Sequence, residues 1–80
     1  MKLIVAIVPP DDAGVIVDDL THAEYGVTRI NTVSGFFKRG NATLLVGVED
    51  EKVATATEII TGKAKRGRVF VLAVERYERV

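Results

Sequence analysis

The apolar segments near the two ends of this chain restrict its fold more than any other feature. Residues 3–8 and 69–74 are apolar at every position and rich in β-branched side chains, a pattern typical of strands covered on both faces. Pro9 and Pro10 end the first segment, because proline has no N–H to donate to a sheet ladder. The sequence therefore predicts two strands that both need apolar cover on two sides.

Two segments have the periodicity of amphipathic helices. The first, residues 11–24, follows the prolines, and Gly26 is predicted to end it in the left-handed conformation. Asp50 is predicted to cap the second helix, and Thr61 and Gly62 to end it. The apolar positions at helical spacing are Ala13, Ile16, Val17, Leu20 and Ala23 in the first helix and Val53, Ala56, Ile59 and Ile60 in the second.

In residues 27–33 one face would carry Val27, Arg29, Asn31 and Val33 and the other Thr28, Ile30 and Thr32, and in residues 42–48 one face would carry Leu44, Val46 and Val48. The two segments are predicted to be strands of an antiparallel hairpin. The resulting order, βαββαβ, predicts one α+β domain over residues 1–80 with the ferredoxin-like fold. In this fold a four-stranded antiparallel sheet carries both helices on one face. Because the first and last strands are apolar on both sides, we expect the other face to be covered by a second copy of the chain.

Composition disfavours several classes of function. Eleven basic residues balance eleven acidic ones, which disfavours a nucleic acid polymer as the partner. The chain has no cysteine, so it has no disulfide framework, and a reducing cytoplasm is expected. The apolar start is too short to be a signal sequence or to cross a membrane, so we expect no membrane association.

No catalytic constellation is recognisable. His22 is the only histidine, and Asp18 and Asp19 lie on a predicted helix where solvation explains them. The acidic residues 49–51 are explained by the predicted start of the second helix. With no nucleophile beside a base and an orienting group, we expect neither an enzyme nor a metal or cofactor site.

Two glycine-containing loops are candidate binding sites. In residues 34–41, Gly35 allows close approach of a ligand, Phe36 and Phe37 can stack on a base, and Asn41 can pair with its polar edge. The alternative is a hairpin turn with solvated cations. Residues 61–68 contain four cations and two glycines, which can hold a phosphate or simply keep an exposed turn soluble. Near the end of the chain, Arg76 and Arg79 either join that loop or pair with Glu75 and Glu78.

Three segments together resemble the cyclic di-AMP receptor family of PII-like proteins: MKLIVAIV at residues 1–8, VTRINTVSGFFKRGNATLLVGVED at 27–50 and VFVLAVERYER at 69–79. The resemblance implies a homotrimer of ferredoxin-like subunits that binds its dinucleotide in clefts between neighbours. Glu24 and Gly26 stand where this family commonly has an asparagine and an arginine at the ligand, and Phe37 stands where a leucine is usual. The site residues that the family implies are Thr28, Gly35, Phe36, Phe37, Asn41 and Gly47.

Residues 61–71, TGKAKRGRVFV, instead look like the phosphate-binding loop of the nitrogen-regulatory PII proteins, which bind ATP or ADP between subunits. That similarity implies that Lys63, Gly67, Arg68 and Arg79 face phosphates. Both long loops of these families are absent here. The sequence is thus interpreted as a PII-like signal-transduction protein with cyclic di-AMP as first ligand, ATP or ADP as second and an unidentified protein target. The alternative is a structural trimeric scaffold that binds nothing.

Overall fold

The computed structural model describes residues 1–33 and 40–80. The strands and helices are β1 (Lys2–Val8), α1 (Pro10–His22), β2 (Val27–Val33), β3 (Gly40–Val48), α2 (Val53–Lys63) and β4 (Arg68–Ala73), with a 3₁₀ turn at Asp50–Lys52 before α2. The sheet order is β2-β3-β1-β4, and every neighbouring pair is antiparallel. The prediction of a ferredoxin-like α+β fold is therefore confirmed.

The core lies between one face of the sheet and the two helices. Alternate residues of β1 and β3 point towards the helices, since side chains of a strand alternate between faces. Of the predicted helical stripe, Val17, Val53 and Ile59 are half-buried, and Ala23 is exposed because α1 ends one residue before it. The fully buried or nearly buried apolar residues are Ile4, Ala6, Val8, Ala13, Ile16, Leu20, Ala42, Leu44, Val46, Val48, Ala56 and Ile60.

The two helices begin in different ways. Pro10 occupies the first turn of α1, with Asp11 and Asp12 beside it, where a fixed φ and negative charge are both favourable. The prediction that Asp50 caps α2 is wrong: it lies inside the 3₁₀ turn and makes no cap. Its carboxylate instead lies 2.9 Å from the α-amino group of Met1. The hydrogen bond and charge of that ammonium lower the pKa of Asp50.

The C-terminal end of α1 is closed by a Schellman motif with Glu24 in the left-handed position. The N–H of Tyr25 donates to the carbonyl of Leu20 at 2.9 Å, and the N–H of Glu24 donates to that of Thr21 at 3.0 Å. Glu24 has φ of 68°, so the prediction that Gly26 takes this conformation is wrong. The motif needs an apolar residue just after the left-handed one, and Tyr25 fulfils that role by packing on the core.

The connection from α2 to β4 is held tightly against β1. The helix continues through Gly62 to Lys63, one residue beyond its predicted end. Gly67 has φ of 148°, and a Cβ at this position would overlap the carbonyl oxygen of Ile7. The N–H of Lys65 donates to the carboxylate of Asp12 at 3.3 Å. A connection of this length therefore requires glycine at residue 67.

No helix in the described part of the chain is long and apolar enough to cross a membrane.

Candidate functional site

The sheet has one face without helices, and we call it the open face. The register places Phe70 opposite Val5 and Leu72 opposite Leu3 on this face, because paired residues of adjacent strands share a face. Phe70 is 45% exposed and Leu72 is 49% exposed, although both are large and apolar. An exposed apolar surface of this kind is typical of a protein contact.

One end of the open face, here called the loop end, carries Asn41 and Arg68. Arg68 lies opposite Ile7 of β1, which lies opposite Thr43 of β3. Asn41 is two residues before Thr43 and therefore on the same face. It is only 2% exposed, and its side chain or backbone is engaged in an interaction. The structure thus brings Asn41 and Arg68 to the same end of the sheet, with β1 between them.

The opposite end, here called the glycine end, carries Thr28 and Gly47. Thr28 lies opposite Leu45, two residues before Gly47. Continuing this register places Gly26 opposite Gly47. The methyl carbon of Met1 lies 3.3 Å from where a Cβ on Gly47 would be. Two facing glycines and an exposed threonine give a flat patch of accessible backbone.

These two ends are too far apart to form one site within a single chain. Asn41 and Gly47 lie on the same strand, six residues apart, which corresponds to roughly 20 Å at the rise of a β-strand. Gly35, Phe36 and Phe37 lie outside the described residues. The predicted ligand residues that the structure describes therefore belong to two separate groups.

The predicted phosphate-binding residues also divide between locations. Gly67 and Arg68 line a pocket of about 170 Å³ together with Arg66 and with Ile60 and Thr61 of α2, so the pocket lies near the loop end but on the helical side of the sheet. Lys63 lies on the helical side, where its amino group is 3.9 Å from the carboxylate of Asp19. That pair borders a groove of about 490 Å³ between α1 and α2.

Arg79 follows β4 at the glycine end, beyond the strand's last residue, Ala73. Nearby in sequence, Arg76 pairs with Glu78 at 2.6 Å, and both side chains are exposed. The main-chain N–H of Val74 donates to the carbonyl of Met1 at 3.2 Å, which holds the start of this C-terminal segment beside β1. Of the three predicted phosphate-binding cations, Arg68 lies at the loop end, Lys63 lies on the helical side, and Arg79 follows β4, whose last residue lies at the glycine end.

His22 has a local partner. Its Nδ1 lies 2.7 Å from the carbonyl oxygen of Asp18, one helical turn earlier. Among residues 1–33 and 40–80, no cluster of three or more histidine and carboxylate side chains is arranged to hold a metal ion.

Sequence reasoning missed two contributors to these surfaces. Met1 packs against Gly47, and no pattern in the sequence indicates that contact. Thr61 lines the pocket near the loop end; it was placed at the end of the helix and in the basic segment 61–68, but was not named among the site residues. Its hydroxyl donates to the carbonyl of Thr57 at 3.0 Å, within the last turns of α2.

The comparison with protein families tests the family resemblance found in the sequence. Residues 1–75 match the cyclic-di-AMP receptor family. The chain belongs to this family. Membership confirms the resemblance found in residues 1–8, 27–50 and 69–79, and it assigns the chain to a PII-like class of proteins whose common function is reception of a nucleotide signal.

A solved structure of similar size supports the fold of this receptor-family chain. It is a functionally unknown protein from Pediococcus pentosaceus ATCC 25745, with 29% sequence identity and a TM-score of 0.90. The alignment covers 99% of this chain and 96% of that one.

Proposed function

We propose that this chain is a signalling receptor that binds a small nucleotide, cyclic di-AMP in the first place, in clefts between the subunits of a homotrimer. The observation that carries the proposal is the division of the candidate residues between the two ends of the sheet. Asn41 and Arg68 from the loop end of one subunit would meet Thr28 and Gly47 from the glycine end of the next. Neither group by itself surrounds a ligand.

The open face supports assembly independently of the ligand. Leu3, Val5 and Ile7 of β1 are only half-buried, and Phe70 and Leu72 beside them are more exposed. Covering such a surface with a second copy removes apolar area from water, which stabilises the assembly by about 25 cal/mol per Å². A head-to-tail contact closes into a ring when its rotation permits, and a trimer is one such ring.

Within each cleft, the loops at the loop end are proposed to hold the base and the phosphates. Gly35, Phe36, Phe37 and Asn41 would contact the adenine through stacking and hydrogen bonding. Gly67 and Arg68 would face the phosphates, with Arg79 of a neighbouring subunit. Lys63 would join them only by leaving Asp19, so its contribution is expected to be the smallest.

ATP or ADP is the second candidate ligand, and the basic connection between α2 and β4 favours it. Lys65, Arg66 and Arg68 lie within four residues of one another, and Arg66 and Arg68 line a pocket. Clustered cations bind a polyphosphate more strongly than a single phosphodiester, because the attraction grows with the charge of the ligand. The third possibility is a trimeric scaffold in which the same residues only make contacts between subunits.

Isothermal titration with cyclic di-AMP, ATP and ADP distinguishes these functions. We expect saturable binding of cyclic di-AMP, lost in Asn41→Ala and weakened at least tenfold in Arg68→Ala, since one charge-assisted hydrogen bond contributes about 1.5–3 kcal/mol. Arg76→Ala is the matched control, because Arg76 is an exposed arginine already paired with Glu78. Far-UV circular dichroism of each variant tests that it is folded.

The outcomes separate the three candidates. Tighter binding of ATP than of cyclic di-AMP would favour the second ligand. No heat with any of the three nucleotides, from a protein that light scattering shows to be trimeric, would leave the scaffold as its function. If Arg68→Ala and Arg76→Ala weaken nucleotide binding equally, the loop end is not part of the site.

A further inference from the structure

The turn between α1 and β2 has an acidic side chain where the fold would be better served by glycine. Glu24 has φ of 68°, a conformation that glycine adopts freely and other residues adopt at a cost. The two hydrogen bonds of the Schellman motif use only backbone atoms, so they would survive replacement of the side chain. A strained, exposed residue that the fold does not require is often retained for function.

Glu24 also lies at the edge of the glycine end. It is exposed and precedes Gly26 by two residues and Thr28 by four. A Cβ on Gly26 would meet no atom within 4 Å, whereas the methyl carbon of Met1 lies over Gly47. The space above Gly26 is therefore open, and the exposed Glu24 lies within two residues of it along the chain.

The charges differ between the two sides of the proposed cleft. Arg66 and Arg68 line the pocket near the loop end. At the glycine end, the carboxylate of Asp50 is paired with the α-amino group of Met1 at 2.9 Å, which offsets its charge. In a cleft built from the loop end of one subunit and the glycine end of the next, Glu24 would add a negative charge on the same side as Arg79, across the ligand from Arg66 and Arg68.

We propose that Glu24 sets the ligand preference of the cleft by charge, disfavouring ADP and ATP relative to a cyclic dinucleotide. This inference rests on the proposed function, because it needs a nucleotide in the cleft. Cyclic di-AMP carries about two negative charges, ADP about three and ATP about four at neutral pH. Repulsion between the ligand and a fixed carboxylate increases with each additional negative charge on the ligand. In a solvated cleft each additional charge lowers affinity about threefold.

Glu24→Gln tests this directly, because glutamine keeps the size and the backbone cost of glutamate and removes only the charge. In isothermal titration, we expect the variant to bind ATP about tenfold more tightly relative to cyclic di-AMP than the unmodified protein does. ADP should gain about threefold. The relative gain in ATP affinity should be smaller at about 0.5 M salt, where ions screen electrostatic interactions beyond a few ångströms. Where direct binding of ATP is weak, displacement of cyclic di-AMP by ATP gives the same ratio.

Two controls test whether the effect depends on the position of Glu24 and on the charge of the ligand. Glu58→Gln removes an exposed carboxylate from α2, on the helical side of the molecule, and should leave the ratio unchanged. AMP carries about the same charge as cyclic di-AMP, so Glu24→Gln should change the affinities for these two ligands by similar factors. A larger gain for ATP than for AMP would therefore come from charge and not from the shared adenine.

The inference is overturned if cyclic di-AMP binds the unmodified protein and Glu24→Gln leaves the ratio of ATP to cyclic di-AMP affinity unchanged. That result would leave the proposed function intact. If no nucleotide binds either the unmodified protein or the variant, both the proposed function and the inference are wrong. An equal change in Glu58→Gln would also overturn the inference, since it would assign the effect to net charge.

Discussion

Two residues with positive φ lie in the described part of the chain, and their side chains suit that conformation to different degrees. Gly67 has φ of 148°, and Glu24 has φ of 68°. Glycine has no Cβ and adopts such conformations readily, whereas glutamate pays a steric cost. Gly26 looked the better candidate from sequence, because glycine is the usual residue at this position of a helix end. Glu24 takes this position instead, because the residue that follows it, Tyr25, packs on the core.

Glu24→Gly is expected to stabilise the fold by about 1 kcal/mol, because it removes the left-handed cost while keeping both backbone hydrogen bonds. Urea denaturation followed by circular dichroism measures this change. Gly26→Ala is the control: its φ is not in the left-handed region and its Cβ would be unobstructed, so we expect no destabilisation. Loss of 1 kcal/mol or more in Gly26→Ala would contradict the assignment of the left-handed residue.

Secondary-structure elements were largely predictable from periodicity, whereas their ends were not. Helical spacing identified both helices, and two continuous apolar segments and two segments with alternating faces identified the four strands. The starts and ends depend on contacts made by distant residues. Asp50 is drawn to the α-amino group of Met1, and no local pattern near residue 50 reveals that partner. The same applies to the candidate site, since only the sheet register shows which residues of different strands meet, such as Arg68 of β4 and Ile7 of β1.

The connection between α2 and β4 depends on one glycine. Gly67→Ala should destabilise the protein by about 3 kcal/mol, because the new methyl group would collide with the carbonyl of Ile7 in a backbone conformation that alanine avoids. Thermal denaturation provides the measurement. Gly62→Ala is the matched control within α2, where the new methyl group meets no atom within 4 Å. Alanine should stabilise the helix there by up to about 1 kcal/mol.

Similar losses of stability in Gly67→Ala and Gly62→Ala would show that both positions exclude a side chain, for example because the surroundings of α2 are crowded. A loss confined to Gly67→Ala would support the close packing against β1. Because Arg66 and Arg68 flank Gly67, this glycine also sets where the cationic groups of the loop end lie. A ligand titration of the folded Gly67→Ala protein is therefore expected to show weaker binding as well as lower stability.

At the scale of the whole molecule, the two faces of the sheet explain why the apolar end segments of the sequence demand a partner. The helices cover Ile4, Ala6 and Val8 completely, but the alternate residues of the same strand remain half-buried. The sequence predicted this imbalance from residues 3–8 and 69–74 alone. It could not predict how the proposed site would divide between subunits, because that depends on which ends of the sheet meet.

Leu72→Lys is expected to dissociate the proposed trimer, since it places a charge in the centre of an apolar contact, where an unpaired charge is strongly unfavourable. Val15→Lys is a matched control: Val15 and Leu72 are both 49% exposed, but Val15 lies on α1, on the opposite side of the molecule. Light scattering coupled to size-exclusion chromatography should give a trimer for the unmodified protein and for Val15→Lys, and a monomer for Leu72→Lys. A monomeric unmodified protein, or a trimeric Leu72→Lys, would mean that the open face is not the assembly surface. The cleft between subunits would then lose its structural basis, because the loop end of one subunit would not be brought against the glycine end of the next.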